Sequence, residues 1–497
     1  MLFLSTQMIR SAEEQTMKNV SELCLIENAA AACYKRLQHF SSVCIFCGKG
    51  NNGSDGYAAA MLLHKAGKRV EIVQAAEPGA PCCVRLAEKC AAEGIPVSAS
   101  VPIDIDDFEC ILDAIFGIGI SGTVPQNIER LIGIINAFRG IVIAADIPSG
   151  MNADTGEVCG ACVRADETLT FTAPKTGMLS NESVNLCGEI TVCEVGIPVN
   201  YSEFSENTCV PICDKSVRAM LPERSRRGHK GTFGTVVMIC GSFGMAGAAA
   251  MAARSAYKSG CGLVKIIAPR SICQILNIMA GEAVVIPCPE KDGRLLASLS
   301  ENALSALRCA DSVLIGCGLG GSGHGELIKN ALAATGANVI IDADGINSLC
   351  GRLDIIKNKN VLLTPHPLEF SRISGLSVEE IEKHRINTAE SFAREYGIRL
   401  LLKGARTVIA YGGSNKYVSL AATSALAKAG SGDILSGIIA SLCAQGLTLT
   451  DSAAAGCCIH GNAGLLAERK IGVYGTDADD IIANIPPAIE KIISRAM

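Results

Sequence analysis

The stretch FCGKGNNGSDGYAAAMLLHKAG, residues 46–67, runs from an apolar segment through a glycine-rich turn into an Ala-rich segment. Gly48, Gly50 and Gly53 have the spacing G-x-G-x-x-G, and the acidic Glu71 follows them. A strand, a turn of this kind and a helix are typical of a dinucleotide-binding βα unit. The glycines alone are also compatible with a tight structural turn. The asparagines and the aspartate among them do not belong to the dinucleotide pattern, because an aspartate repels a pyrophosphate.

Short β-branched segments alternate with Ala-rich segments along most of the chain, as in GIVIAADIPSG, residues 140–150. This alternation predicts an α/β fold in which helices cover a mostly parallel sheet. Around residues 200–230 the sequence becomes polar and rich in charge, Gly and Pro, which is typical of a domain boundary. We therefore predict two α/β domains, 1–210 and 211–497.

The composition is that of an ordinary globular protein, with 49% apolar and 19% charged residues. The net charge of -5 predicts no binding to nucleic acid or to an anionic membrane surface. We expect no membrane span, since no apolar run is long enough, and no signal peptide. The 24 cysteines lie mostly in apolar segments, so we expect buried thiols kept reduced in the cytoplasm.

Polar residues follow several predicted strands of the N-terminal half, at positions where parallel sheets bind ligands. They are Asn51 and Asn52, then Asp113, and finally Asp146 with Ser149. Their side-chain oxygens suit a hard monovalent cation, or a ribose and an amide. The glycine-rich loop FGIGISGTV suits a close approach to phosphate. These features predict an enzyme site in which Asp146 is either a proton carrier or a turn-forming aspartate.

A second glycine-rich turn lies near the C-terminus, in AKAGSGDILSGIIASLCAQG, residues 427–446. It leads directly into a predicted helix with Asp433 in the first turn, where free N–H groups bind anions. A carboxylate there repels a resting phosphate, but it can accept a proton from a hydroxyl that attacks phosphorus. The turn therefore predicts phosphoryl transfer to a hydroxyl. The alternative is that Asp433 only caps the helix.

The first part of the chain, about residues 8–200, resembles the NAD(P)HX epimerase family, the YjeF N-terminal domain. The resemblance lies in three motifs that occur in the family's order, GKGNNGSDG, DAIFGIGISG and AADIPSGMNADTG. The resemblance implies a Rossmann-like parallel-sheet domain whose substrate is NADH or NADPH with a hydroxyl on C6 of the nicotinamide ring. The enzyme interconverts the R and S forms. The resemblance further implies that K⁺ is held by Asn52, Asp113 and Ser149, and that the dinucleotide contacts Asn51, Asn52, Gly53, Ser54, Asp55, Gly117, Ile118, Gly119, Ile120, Ser121, Gly122, Thr123 and Asp146.

Asp146 is our first candidate for the group that moves the proton at the reacting ring, and Lys175 in TAPKTG is the second. Ser54 stands where the epimerase family usually has a glycine. Because serine is small, we expect only a mild effect of this difference. On this hypothesis Glu71 has no ribose to hold.

The second half of the chain, about residues 214–495, is similar to the ADP/ATP-dependent NAD(P)HX dehydratase family. The similarity lies in five motifs that occur in the family's order, GHKGTFGTVVMICGSFGMAG, GCGLG, DADGIN, LTPHPLEF and LLKGARTVI. The resemblance implies a ribokinase-like α/β fold. It implies dinucleotide contacts from Ala248, Gly318, His366 and Asp433. It implies adenine-nucleotide contacts from Lys403, Gly404, Ala405, Arg406, Thr407 and Gly432. The family pattern usually has other residues at Cys317, Leu368 and Ser431.

The chemistry implied for this second domain is a phosphorylation followed by an elimination. Asp433 is the base that activates the C6 hydroxyl, and phosphate is a better leaving group than hydroxide. Mg²⁺ bridges the phosphates of the donor, for which we favour ADP over ATP. Asp342 and Asp344 either lie near Mg²⁺ or cap a turn.

Two other functions fit parts of the sequence. One is a ribokinase-like small-molecule kinase fused to a dinucleotide-binding module, and the other is an N-terminal sensor without turnover. By analogy with ribokinase-like dehydratases we expect a homo-oligomer, a tetramer.

Overall fold

The glycine-rich turn after Cys47 joins a buried strand to a helix that begins at Asn51. The computed structural model describes residues 2–120, 122–199, 209–412 and 416–494. The chain divides into two units, Met1–Pro211 and Ile212–Met497. Each unit has its own sheet with helices packed against it, so the predicted α/β class is confirmed.

The N-terminal unit is built on one sheet whose strand pairings are all parallel. Its described strands are β1 (Ser42–Cys47), β2 (Arg69–Gln74), β3 (Val97–Ser98), β4 (Cys110–Ala114), β5 (Ile141–Ala145), β6 (Glu167–Phe171) and β7 (Glu189–Cys193). Its described helices are α1 (Thr6–Thr16), α2 (Glu22–Leu37), α3 (Asn51–Lys65), α4 (Pro81–Ala92), α5 (Gln126–Ala137) and α6 (Val184–Cys187). The strand order β3-β2-β1-β4-β5-β6-β7 reverses between β1 and β4, which is where such sheets bind ligands.

Both faces of this sheet are buried, which explains the unbroken apolar sequence of β1. Val43 and Ile45 pack with α2, α3 and α4 on one face. Cys44 and Phe46 pack with α5 on the other. Glu71 forms an ion pair with Arg69 of its own strand, at 3.2 Å.

The C-terminal unit is built on a larger, mixed sheet. The described strands from the unit boundary onward are β8 (Cys209–Ile212), β9 (Thr235–Ile239), β10 (Leu263–Pro269), β11 (Val284–Cys288), β12 (Glu290–Lys291), β13 (Arg294–Leu295), β14 (Ser312–Ile315), β15 (Asn338–Ile341), β16 (Val361–Leu363), β17 (Arg399–Leu402), β18 (Val408–Tyr411) and β19 (Lys416–Ser419). The order β11-β10-β9-β14-β15-β16-β17-β18-β19 reverses between β9 and β14. The pairings are parallel as far as β17, and β17, β18 and β19 pair antiparallel.

The described helices of this unit are α7 (Asp214–Met220), α8 (Ala246–Lys258), α9 (Cys273–Met279), α10 (Glu301–Arg308), α11 (Gly325–Ala334), α12 (Asp344–Asn347), α13 (Pro367–Ser374), α14 (Val378–Lys383), α15 (Arg385–Tyr396), α16 (Ser431–Ala444), α17 (Leu449–Ile471) and α18 (Ala478–Ser494). Helix α16 is buried along most of its length, because it packs against α8, α17 and the sheet. A Cβ at Gly437 would lie 2.2 Å from the carbonyl oxygen of Ala252, so this glycine lets α16 lie close against α8. The packing fixes the first turn of α16, and Asp433 with it.

All 24 cysteines are free thiols. The prediction that they are buried is wrong for Cys309 and Cys350, which are exposed. In the described part of the chain, no helix has both the length and the apolarity that a membrane crossing requires.

Candidate active sites

Two glycines allow close backbone contacts around the loop after β1. A Cβ at Gly48 would lie 1.9 Å from the carbonyl oxygen of Ile115. A Cβ at Gly53 would lie 2.0 Å from the carbonyl oxygen of Gly48. Gly50, in contrast, has open space where a Cβ would be. Gly48 therefore lets the loop after β4 lie close to the loop after β1, and Gly53 lets the first turn of α3 pack on Gly48.

We expect a Gly48→Ala substitution to destabilise the chain by about 1–3 kcal/mol, because backbone must move to admit the methyl group. Gly50→Ala is the matched control, since the same methyl group there meets no neighbouring atom within 4 Å. Calorimetric melting of the full chain measures both variants. Equal melting temperatures for the two would contradict the packing role of Gly48.

A cavity of about 580 Å³ opens at the carboxyl ends of the N-terminal sheet. Residues of α3 line it from one side, because positions three and four apart share a helix face. Of the residues predicted to contact the dinucleotide, it is lined by Asn51, Asn52, Asp55, Gly117, Ile118, Gly119, Ile120, Thr123 and Asp146.

Three of the predicted dinucleotide contacts do not line this cavity. Gly53 and Ser54 lie in the buried part of α3, and the Ser54 hydroxyl donates to the carbonyl of Gly50 at 3.4 Å. Gly122 lies outside the lining as well. Ser121 lies outside the described residues.

Two of the three predicted cation ligands are in direct contact. The Ser149 hydroxyl donates to Asp113 Oδ1 at 2.6 Å, and the Ser149 N–H donates to Asp113 Oδ2 at 2.8 Å. Burial raises the pKa of Asp113 to about 6, although these hydrogen bonds oppose the rise. The Asn52 amide is buried, and neither its oxygen nor its nitrogen has a hydrogen-bond partner in the described structure. A buried amide oxygen without a partner fits a cation ligand.

Asp146 and Lys175, the two candidates for proton transfer, form a buried ion pair. Lys175 is 1% exposed, and its ammonium donates to Asp146 Oδ1, to Thr170 Oγ1 at 2.8 Å and to the Phe171 carbonyl at 3.1 Å. Asp146 has φ of 69°, a left-handed conformation that is uncommon for a residue other than glycine. The ion pair lies in the cavity wall, so the carboxylate is both oriented and reachable.

Helix α1 contributes two charged residues that the motifs missed. Arg10 and Glu13 both line the cavity. They lie in the segment MIRSAEEQT, within the range that resembles the epimerase family. The spacing of its charged residues does not match any motif that would indicate a chemical role. Only the fold brings α1 to the cavity.

The second site lies at the first turn of α16. Acceptor or thiol atoms of Cys317, Asp342 and Asp433 lie within 4.8 Å of one another. Burial raises the pKa of Asp433 to about 6, and the charge of Asp342 adds to this. A raised pKa beside a helix N-terminus suits a base that works near neutral pH.

Asp342 is held by two donors that the sequence did not connect to it. Lys403 Nζ donates to Asp342 Oδ1 at 2.8 Å, and the Ser436 hydroxyl donates to Oδ2 at 2.7 Å. Asp344 instead accepts from the Gly320 N–H at 2.8 Å, so it holds the glycine-rich loop after β14. This contact is neither of the two roles predicted for Asp344, and both stay predictions.

Lys403, one of the residues predicted to contact the nucleotide, also lies close to the start of α16. A Cβ at Gly432 would lie 3.2 Å from Lys403 Nζ, so the glycine leaves the ammonium reachable at the helix start. Gly404 and Ala405 are exposed nearby in sequence, and Thr407 Oγ1 donates to the Gly404 carbonyl at 2.8 Å.

The predicted nucleotide contact of Arg406 does not fit its side chain. This side chain is 1% exposed, and Nη1 donates to the Leu420 carbonyl at 3.3 Å. The reason is that neighbouring positions of this segment face different ways, and Arg406 faces the protein interior.

The predicted dinucleotide residues Ala248 and Gly318 are neighbours. Gly318 has φ of 66°, and a Cβ there would lie 2.9 Å from the Ala248 Cβ. His366 caps α13 through Nδ1, which accepts from the Leu368 N–H at 3.2 Å, and its side chain is 45% exposed. Burial and the charge of Lys403 lower the pKa of His366, so the ring is neutral at pH 7. The cap uses Nδ1, and the other ring nitrogen, Nε2, lies 3.4 Å from Glu369 Oε1. Leu368 takes part in the cap through its backbone N–H.

His460 of α17 is a further residue that the motifs missed. Its Nε2 lies 3.1 Å from the Ser431 hydroxyl at the start of α16. Burial lowers its pKa to about 4, which keeps the ring neutral. A lone buried histidine in an apolar helix gives no sequence signal.

Known proteins match both units. A family model described as NAD(P)H-hydrate dehydratase matches residues 236–487, and one described as YjeF-related protein N-terminus matches residues 22–177. The bifunctional NAD(P)H-hydrate repair enzyme Nnr of Moorella thermoacetica is 32% identical, over 98% of this chain and 95% of the relative. That of Coxiella burnetii is 34% identical, over 96% of this chain and 97% of the relative.

A crystal structure of a ribokinase-like superfamily protein from Enterococcus faecalis is similar to the second unit. It is 24% identical, and the match covers 57% of this chain and 96% of that protein, with a TM-score of 0.50. The predicted ribokinase-like fold of the second unit is confirmed.

Proposed function

Because the chain belongs to the family of bifunctional NAD(P)H-hydrate repair enzymes, we propose that its two sites act in sequence on one damaged cofactor. It is an enzyme with an NAD(P)H-hydrate epimerase domain and an NAD(P)H-hydrate dehydratase domain. One aspartate in each site supports this assignment of chemistry to residues. Asp146 of the first site forms an ion pair with a buried lysine, and Asp433 of the second site has a raised pKa.

In the second site, Asp433 takes the proton of the C6 hydroxyl while that oxygen attacks the terminal phosphorus of the donor nucleotide. The bridging P–O bond of the donor breaks, and the nucleotide leaves with one phosphate fewer. The C–O bond of the resulting phosphate ester then breaks, its electron pair leaves with phosphate, and the departing phosphate takes the C5 proton, which restores the ring double bond. The N–H groups at the start of α16 and the Lys403 ammonium stabilise the transferred phosphoryl group. The raised pKa of Asp433 matches this role as a base.

Mg²⁺ fits this site in part. Its preferred ligands are oxygens, so Asp342 would hold it and the Cys317 thiol would not. When bound, Mg²⁺ supplies positive charge to the donor phosphates. We propose ADP as the donor, with ATP as the alternative.

In the first site, Asp146 moves the proton that inversion at C6 requires, and the buried Lys175 orients it. Asn52, Asp113 and Ser149 would hold K⁺, and the Asn52 amide without a partner supports this. When bound, K⁺ supplies charge at the strand ends where the dinucleotide phosphates approach.

An assay with hydrated NADH and the full chain tests the repair function. Absorbance of the dihydronicotinamide ring should recover when ADP or ATP is added with Mg²⁺. No recovery with either nucleotide would contradict the dehydratase assignment. Replacing K⁺ by a large organic cation should slow conversion of the R isomer. A cytoplasmic location and a homo-oligomeric state stay predictions.

A further inference from the structure

Glu13 is a carboxyl in the epimerase cavity to which no motif gives a task. It projects from α1 into the wall that also contains Asp55, Asp146 and Lys175. Helix α1 is held to another segment at its start, where the Thr6 N–H donates to Asp154 Oδ1 at 2.7 Å. The position of Glu13 is therefore set by an ordered helix.

The carboxyls of the cavity differ in their surroundings, since one is paired with an ammonium and others are buried next to another carboxyl. The Lys175 ammonium donates to Asp146 Oδ1, so Asp146 has an ion-pair partner in the cavity wall. Burial raises the pKa of Glu13, and the charge of Asp146 raises it further, while Lys175 and Arg10 oppose the rise. On its own helix the other charged neighbour is Glu14, which adds to the rise.

Asp55 belongs to the same group. Burial raises its pKa well above the usual range, and Asp146 and Glu13 add to this. It lies on α3, and like Asp146 it is 9% exposed. Besides Asp146, which has Lys175 as its ion-pair partner, the cavity is lined by Glu13 and Asp55, two carboxyls whose protonated form is favoured by burial.

We propose that Glu13 is a catalytic acid of the epimerisation, working with Asp146 as the base. This inference rests on the epimerase function proposed above. One carboxyl paired with an ammonium and another whose protonated form is favoured by burial, in the same cavity, are a common arrangement for acid–base chemistry. Glu13 and Asp146 come from different elements, α1 and the end of β5, so each can serve a different stage of the reaction.

The proton and electron balance is closed. Glu13 gives its proton to the C6 hydroxyl, the C6–O bond breaks, and its electron pair leaves with the oxygen as water. The lone pair of ring N1 forms the N1=C6 double bond of an iminium ion. A water molecule then adds to the other face of C6, and Asp146 takes the proton that it loses. The reverse reaction, or proton exchange with solvent, returns both carboxyls to their starting states.

The test is a Glu13→Gln variant of the full chain, which keeps the size of the side chain and removes the proton donor. We expect kcat for the R isomer, coupled to the chain's own dehydratase, to fall by roughly 100-fold or more with little change in KM. Repair that starts from the S isomer should proceed at the wild-type rate. Glu14→Gln, one residue along and exposed, is the matched control and should behave as wild type.

A pH profile separates an acid from a structural residue. Because Glu13 must be protonated to act, the wild-type epimerisation rate should fall as the pH rises through its raised pKa. The Glu13→Gln variant should lack this decline, and Glu13→Asp should regain part of the rate and the decline with it.

Wild-type kcat in Glu13→Gln, or a loss confined to KM, would overturn the inference. A pH profile of Glu13→Gln that still shows the wild-type decline would also overturn it. If Asp146→Ala also converts the R isomer normally, then the proposed mechanism of the whole first site fails. If Asp146→Ala is inactive and Glu13→Gln is active, only the role of Glu13 fails.

Discussion

An Asp433→Asn substitution should reduce S-isomer dehydration by roughly 10²–10⁴-fold, the contribution expected of a positioned general base. The amide has nearly the same shape, but it cannot accept a proton from the C6 hydroxyl. Nucleotide binding should be retained, because the N–H groups of α16 and the Lys403 ammonium stay in place. Single-turnover kinetics with ADP measures the loss.

The pH dependence of the wild-type chain is a second readout of the same base. A base works only when ionised, and burial raises the pKa of Asp433 to about 6. The rate of dehydration should therefore rise with pH through about 6 and level off above it. The rise should be absent from the residual rate of Asp433→Asn.

A matched control is Asp451→Asn, which changes another aspartate in the first turn of a long helix, α17. It lies outside the cluster of Cys317, Asp342 and Asp433, and it should leave the rate unchanged. Full activity in Asp433→Asn would show that Asp433 is only a helix-cap residue.

An Asp146→Ala substitution should stop R-isomer conversion while S-isomer repair continues. With a mixture of both isomers, the wild-type chain should recover all of the absorbance. The variant should stop at the fraction that was S at the start, apart from slow spontaneous epimerisation. The substitution also leaves the buried Lys175 ammonium without its carboxylate, so some loss of stability accompanies it.

Asp106→Ala is a suitable control for this experiment, because Asp106 is an exposed aspartate of the same unit. Its epimerase and dehydratase rates should equal those of the wild type. Equal R-isomer conversion in Asp146→Ala would contradict the role of Asp146, whatever the stability of the variant.

Several parts of the fold and site were predictable because they depend on residues close in sequence. The alternation of β-branched and Ala-rich segments gave the α/β class, and the glycine-rich turns gave the helix starts. Asn52 and Asp55 share a helix face since they are three positions apart, which follows from helix geometry.

Other parts were not predictable because they depend on contacts between distant segments. Lys403 and Asp342 are 61 positions apart and meet only because β15, β16 and β17 are neighbours in the sheet. Arg406 has the sequence context of a nucleotide contact, yet its guanidinium lies in the interior. Glu13 enters the cavity only because α1 folds back over the strand ends.

The sequence by itself therefore determined the two α/β units, the glycine-dependent turns and the aspartates at the helix and strand ends, because local spacing and backbone freedom dictate them. Only the tertiary structure decided which of these carboxyls are paired and which are buried without a partner charge. That difference raises the pKa of Glu13 and of Asp433 and gives Asp146 its ion-pair partner, because desolvation and the nearest charges depend on segments far away in the chain.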